Sequence, residues 1–185
     1  IAVIPEIGEN LFEKTFVKDI YTWSSPNVNG DDISPLKSVL DSLPSRFGAI
    51  GAELGKEMTI RMPILDFGLL QDSSKFDIID AASLIWKLRI VKTPNEIKKM
   101  ERVSKIVSDV FDLLPTFIST QDSERDVARK LKNEILKRGA DNIPYLPVVS
   151  GVGGVSQIIG NPTHKLISSG NFLFVDTGAT FDGYF

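Results

Sequence analysis

No cysteine occurs in the 185 residues, which excludes a disulfide framework and a thiolate zinc site and makes a reducing compartment, the cytoplasm, the expected location. Histidine is nearly absent too, with His164 alone. An excess of one charge is also lacking. The 21 Lys and Arg stand against 24 Asp and Glu, and the basic residues form no stripe of the kind nucleic acid would need. No uninterrupted apolar run approaches the roughly 18 residues of a membrane span. The opening run Ile1-Ala2-Val3-Ile4-Pro5 has no positively charged region like that of a secretory signal. Neither nucleic acid nor a membrane is therefore expected as a partner.

What is present is an ordinary globular balance, 42% hydrophobic and 24% charged, in a length that can bury a real core. Both ends read as interrupted. The chain opens without Met on an apolar run, and Phe181-Asp182-Gly183-Tyr184-Phe185 reads as a strand still in progress, so a piece of a longer chain is expected.

Up to Trp86 the pattern alternates strand and helix signals. Residues 2–4 and 17–23 read as strands, and 8–15 as a helix or loop. Residues 26–32 form a loop by their turn residues, and a helix follows from Ser34 as N-cap and Pro35 at N1 to about Leu43. Residues 48–53 read as a strand, 60–70 as a helix and 76–80 as a strand.

From Pro94 the spacing of Ile97, Met100, Val103, Val107, Val110, Leu114 and Phe117 predicts one long amphipathic helix. Ser123 and Asp126 form a capping box for a second helix with Val127, Leu131 and Ile135 on its buried face, and Gly139 closes it. A strand from Tyr145 into the glycine-rich bend at 151–154 comes next, and then a strand over 172–178. The expected organisation is thus two domains, 1–86 and 87–185, with the switch inside residues 81–94. The first is α/β and the second α+β.

The most informative carboxylate is Asp176, which ends an apolar strand. Partial desolvation there is costly unless hydrogen bonds, a cation or a metal compensates. A metal-ligand role satisfies that demand, and so does an Asp that caps the Thr177-Gly178 turn through its own backbone. The bend at 151–154 lacks the Lys-Ser/Thr of a phosphate-binding loop and opens no helix, so it reads as a flexible or close-packed bend. Trp23, Trp86 and the phenylalanines are expected in the core, and Lys98, Lys99, Arg102 and Lys105 on a solvated helix face.

Two motifs in order carry a resemblance. The run Leu88-Arg89-Ile90-Val91-Lys92-Thr93-Pro94-Asn95-Glu96-Ile97, ahead of a long helix, resembles the entry to the catalytic domain of the creatinase, prolidase and aminopeptidase P family. Val175-Asp176-Thr177-Gly178, followed by Gly183-Tyr184, is similar to that family's D-x-G…G-Y strand pair. The resemblance implies a creatinase-type α/β N-terminal domain, here partial, followed by the first half of an α+β pita-bread domain.

It also implies a dinuclear metal-dependent hydrolase that cleaves a C–N bond in a short peptide with proline beside that bond, or in a related small amide. Two divalent ions (Mn, Zn, Co or Fe) would sit in a cage of two Asp, one His and two Glu. Asp176 matches the first ligand, and the others would fall beyond Phe185, so the piece itself is not expected to hold the pair.

A substrate-contacting His usual in the family falls, in register, on Ile159, while His164 comes later, either as a polar loop residue or as a shifted substrate contact. Asn171 stands where the family has Asp. The missing imidazole leaves room for a small nitrogenous substrate in place of a peptide; the resemblance also leaves open a metal-free binding module that kept the fold and lost the chemistry. A homodimer is implied by the resemblance alone.

Overall fold

The computed structural model describes residues 1–25 and 33–185, so the loop expected at 26–32 lies outside the described residues. The chain forms two compact units, Ile1–Val91 and Lys92–Phe185. The expected boundary at Trp86 falls inside a helix of the first unit.

In the first unit, β1 (Ala2–Pro5) runs parallel to β2 (Ile20–Trp23), with Ala2 opposite Ile20. A 3₁₀ turn (Glu6–Gly8) and α1 (Glu9–Phe12) carry the chain between them. Helix α2 (Ser34–Ser42) begins one residue earlier than expected: Ile33 is the N-cap, without a side-chain cap, so Ser34 is already helical. β3 (Ala49–Ala52) pairs in parallel with β4 (Asp77–Asp80) across α3 (Ile64–Ser73). That helix starts at Ile64, later than the apolar run from Ile60 suggests. Pro63 holds the cap position, and the residue before a proline is disfavoured in helical conformation.

The stretch expected as a connector is α4 (Ala82–Ile90), whose Ala82 N–H is held by Asp80 Oδ1 at 2.9 Å. Not all of the aromatic residues are core. Phe76 is buried, but Phe16, Phe47 and Trp86 are exposed, Phe16 at 93%. Trp86 instead carries the Arg89 guanidinium 6.0 Å from its ring centroid.

In the second unit, α5 (Pro94–Phe117) opens on a reciprocal capping box. Thr93 N–H donates to Glu96 Oε2 at 2.6 Å and Glu96 N–H to Thr93 Oγ1 at 3.4 Å. Its buried residues are Val103, Ile106 and Val110, so the inward stripe includes Ile106 and leaves Ile97 exposed. Helix α6 (Glu124–Lys137) repeats the device with Ser123 and Asp126, buries Val127, Leu131 and Ile135 completely, and ends before Gly139 at φ +96°.

Two antiparallel strand pairs complete this unit. β6 (Val148–Val152) pairs with β7 (Asn171–Val175), Val148 opposite Val175, and β5 (Asn142–Tyr145) pairs irregularly with β8 (Gly178–Thr180). The single strand expected from Tyr145 onward is therefore two, parted at Leu146 and Pro147, the latter without an N–H to offer a ladder. α5 packs on α6 and β8, and α6 on β6, around one core that contains Val110, Leu131, Ile135 and Val148. Among the described residues no helix is long and apolar enough to cross a membrane.

Candidate functional site

β7 delivers Asp176 at its end, half-buried. The backbone N–H of Asp176 donates to Pro147 O at 3.1 Å, which fixes the residue beside the break between β5 and β6. Its Oδ1 accepts from the Tyr145 hydroxyl at 2.8 Å, a contact the sequence did not announce. The carboxylate thus bonds across strands and not to its own turn. That hydrogen bond holds the Tyr145 phenol above its ordinary pKa, so the hydroxyl remains a donor.

Thr177 Oγ1 donates to Tyr145 O at 3.1 Å, and the Phe185 ring stacks on Tyr145 with centroids 6.5 Å apart. A Cβ at Gly178 would come within 1.9 Å of Phe185 Cζ, so glycine is what lets that ring lie against the strand. A groove of about 410 Å³ opens on this side, with Val107, Phe111, Thr177 and Phe185 on its walls.

The two motifs quoted separately from the sequence meet in space. Tyr184 OH donates to Glu96 Oε1 at 2.9 Å, Lys99 pairs with Asp182 at 2.5 Å, and Lys99 Nζ lies 5.0 Å from the Tyr184 ring centroid. Asp182 (φ +49°) and Gly183 (φ +79°) turn the chain tightly enough for Phe181 and Tyr184 to exchange backbone hydrogen bonds. Arg102 stacks 4.2 Å from the Phe181 centroid. Lys98, Arg102 and Lys105 are exposed, as a solvated face requires, and Lys99 is half-buried; Lys99 and Arg102 brace this turn as well, while Lys105 pairs with Asp109.

The other two expected residues are exposed. Ile159 is 72% exposed in irregular chain, its carbonyl accepting from Gln157 Nε2 at 2.8 Å. His164 is exposed, and its Nε2 lies 3.0 Å from Arg125 Nη1; the guanidinium can only donate, so the imidazole nitrogen accepts. Among the described residues no group of three or more His, Asp or Glu converges as a metal cage would require. As a single donor, Asp176 fits a divalent cation: it is a hard carboxylate, and among the described residues Tyr145 occupies only one of its oxygens.

The fold is shared with solved prolidases and X-Pro aminopeptidases. The X-Pro aminopeptidase from Thermotoga maritima MSB8 superposes with a TM-score of 0.73 at 19% identity, over 97% of this chain and 48% of that one. The prolidase from Pyrococcus furiosus gives 0.76 at 18%, over 97% and 51%. At such identities the likeness is one of fold.

The sequence adds that residues 98–185 match the model of metallopeptidase family M24. It is 33% identical over 111 residues to the uncharacterized peptidase YqhT of Bacillus subtilis, a match covering 60% of this chain and 31% of that protein. It is 32% identical over 107 residues to mouse Xaa-Pro aminopeptidase 3, covering 57% and 21%. The matches thus span about a third or less of these relatives.

Proposed function

We propose that the complete protein carrying this sequence is a metal-dependent hydrolase of the Xaa-Pro peptidase type. The observation that carries this reading is Asp176, presented half-buried at the end of β7 and held by Tyr145, inside the segment that matches a metallopeptidase family. Asp176 is the metal donor this chain contributes, and Tyr145 fixes the direction of its carboxylate. A pair of divalent ions such as Mn, Zn, Co or Fe supplies Lewis acidity and lowers the pKa of water. The remaining donors belong to chain outside the residues described. In this reading the second unit is the first half of a pita-bread domain, and the bend at 151–154 with the segment 159–164 lines the substrate pocket.

Residue 159 is Ile, so any acid near the scissile amide comes from another position. The relatives reported above are named as peptidases, and nothing among them favours a small nitrogenous substrate or a metal-free binding module. A cytoplasmic location and a homodimer belong to the same reading. The first is supported by the lack of cysteine and the second by family resemblance.

The test is proline release from Xaa-Pro dipeptides by the complete protein with manganese. Activity is expected in the native protein, with kcat/KM lower on the order of a hundredfold in Asp176→Asn, since even a group one shell outside a metal site costs that much. A native protein inert on such dipeptides, or an Asp176→Asn variant as active as its parent, overturns the proposal.

A further inference from the structure

Glu124, the first residue of α6, is only 3% exposed, a burial an ionised carboxylate tolerates when its oxygens are fully engaged. Both are. Oε1 accepts from the Ser150 N–H at 2.8 Å and the Ser150 hydroxyl at 2.9 Å. Oε2 accepts from the Thr163 N–H at 3.1 Å and the Thr163 hydroxyl at 2.7 Å. Burial pushes the pKa of this group up, but the four donors outweigh it and hold the carboxyl below the usual range.

The arrangement exceeds what a helix start needs, because Ser123 and Asp126 already cap α6. The backbone of the same turn adds two clamps, Glu124 N–H to Lys165 O at 3.0 Å and Arg125 N–H to Thr163 O at 3.1 Å. The Lys165 ammonium reaches back to the Ser150 carbonyl. The two residues held by the carboxylate come from different segments. Ser150 lies in β6 opposite Leu173 of β7, the strand that ends immediately before Asp176. Thr163 lies within 159–164.

We infer that Glu124 is a positioning residue that ties segment 159–164 to β6, and so holds a wall of the substrate pocket in register with Asp176; this rests on the peptidase reading above. With both oxygens spent on four donors inside the protein, Glu124 does not act on substrate itself. The geometry makes the carboxylate specific. In Glu124→Gln the side-chain nitrogen faces either Ser150 or Thr163. A hydroxyl can rotate to accept from it, but a backbone N–H cannot, so one backbone N–H loses its acceptor.

The experiment compares the complete native protein with Glu124→Gln and with Thr163→Val, which removes only one hydroxyl, and reads Xaa-Pro dipeptide kinetics alongside amide hydrogen exchange. The expected result is a KM about tenfold higher in Glu124→Gln with kcat changed less, since misplaced binding walls act on substrate positioning. Exchange should be faster in 148–152 and 160–165 and unaltered in α5. Thr163→Val should show the same pattern more weakly, and it decides the matter if Glu124→Gln does not fold. Unchanged KM with unchanged exchange in those segments overturns the inference, as does a loss of activity that merely follows the folded fraction. If the native protein cleaves no Xaa-Pro dipeptide, the peptidase reading fails, and the exchange pattern still decides whether Glu124 pins the segment.

Discussion

Glu96 shows how much one residue can be asked to do. Its carboxylate accepts from the Thr93 N–H, which starts α5, and from the Tyr184 hydroxyl, which anchors the turn after β8. Hydrogen bonds from Thr93 first, and then from Tyr184, hold its pKa at about 2, against an ordinary 4.5. A carboxyl depressed on folding contributes stability that is present above its unfolded value and is lost as pH falls toward the folded one. Native protein should therefore lose stability between pH 4.5 and about 2 more steeply than Glu96→Gln. Asp122, Glu124 and Asp126 shift in the same direction and are common to both proteins, so the difference in denaturant midpoint against pH isolates Glu96. Parallel midpoint curves would contradict the assignment. In the sequence Glu96 stood out only within the motif that carries the resemblance; Tyr184 lies 88 positions away, and no local signal announces such a pair.

At the scale of elements, the helices of the second unit were the most legible. Capping boxes and apolar stripes are local, and Ser123 and Gly139 mark ends that the structure places where the pattern puts them; the Thr93 box at the start of α5 went unread. The first unit was less so: Ser34 looked like a cap, yet Ile33 took the position, and Pro63 delayed α3. Strand limits were harder still, because pairing partners are remote and Pro147 divides what reads as one strand.

The bend after β6 is a place where the glycine requirement can be checked. A Cβ on Gly151 would come within 2.0 Å of the Gly154 carbonyl oxygen, a backbone atom that cannot swing aside, while Gly153 and Gly154 sit at φ +70° and +136°. Gly151→Ala should cost about 1–3 kcal/mol, as overpacking does, read as a lower midpoint in chemical denaturation. A midpoint equal to that of the native protein would show that the bend relaxes freely.

At the scale of the whole molecule, the division into an α/β and an α+β unit was readable from the order of strand and helix signals, and the likeness to metallopeptidases from two motifs in sequence. The site was only partly readable. Asp176 stood out because an acid at the end of an apolar strand needs a partner, but the partner found, Tyr145, belongs to a strand whose irregular pairing no periodicity reveals. Glu124 drew no notice in the sequence, and its burial is a product of packing. His164 drew attention as the sole imidazole and turned out to sit on the surface beside Arg125.

The central claim is that Asp176 is a metal donor in the complete protein, and calorimetric titration of the metal-stripped complete protein with manganese tests it most directly. The account predicts two bound equivalents for the native protein and the loss of at least one in Asp176→Asn, with the fold retained by circular dichroism. Equal stoichiometry and affinity in the two proteins would contradict it.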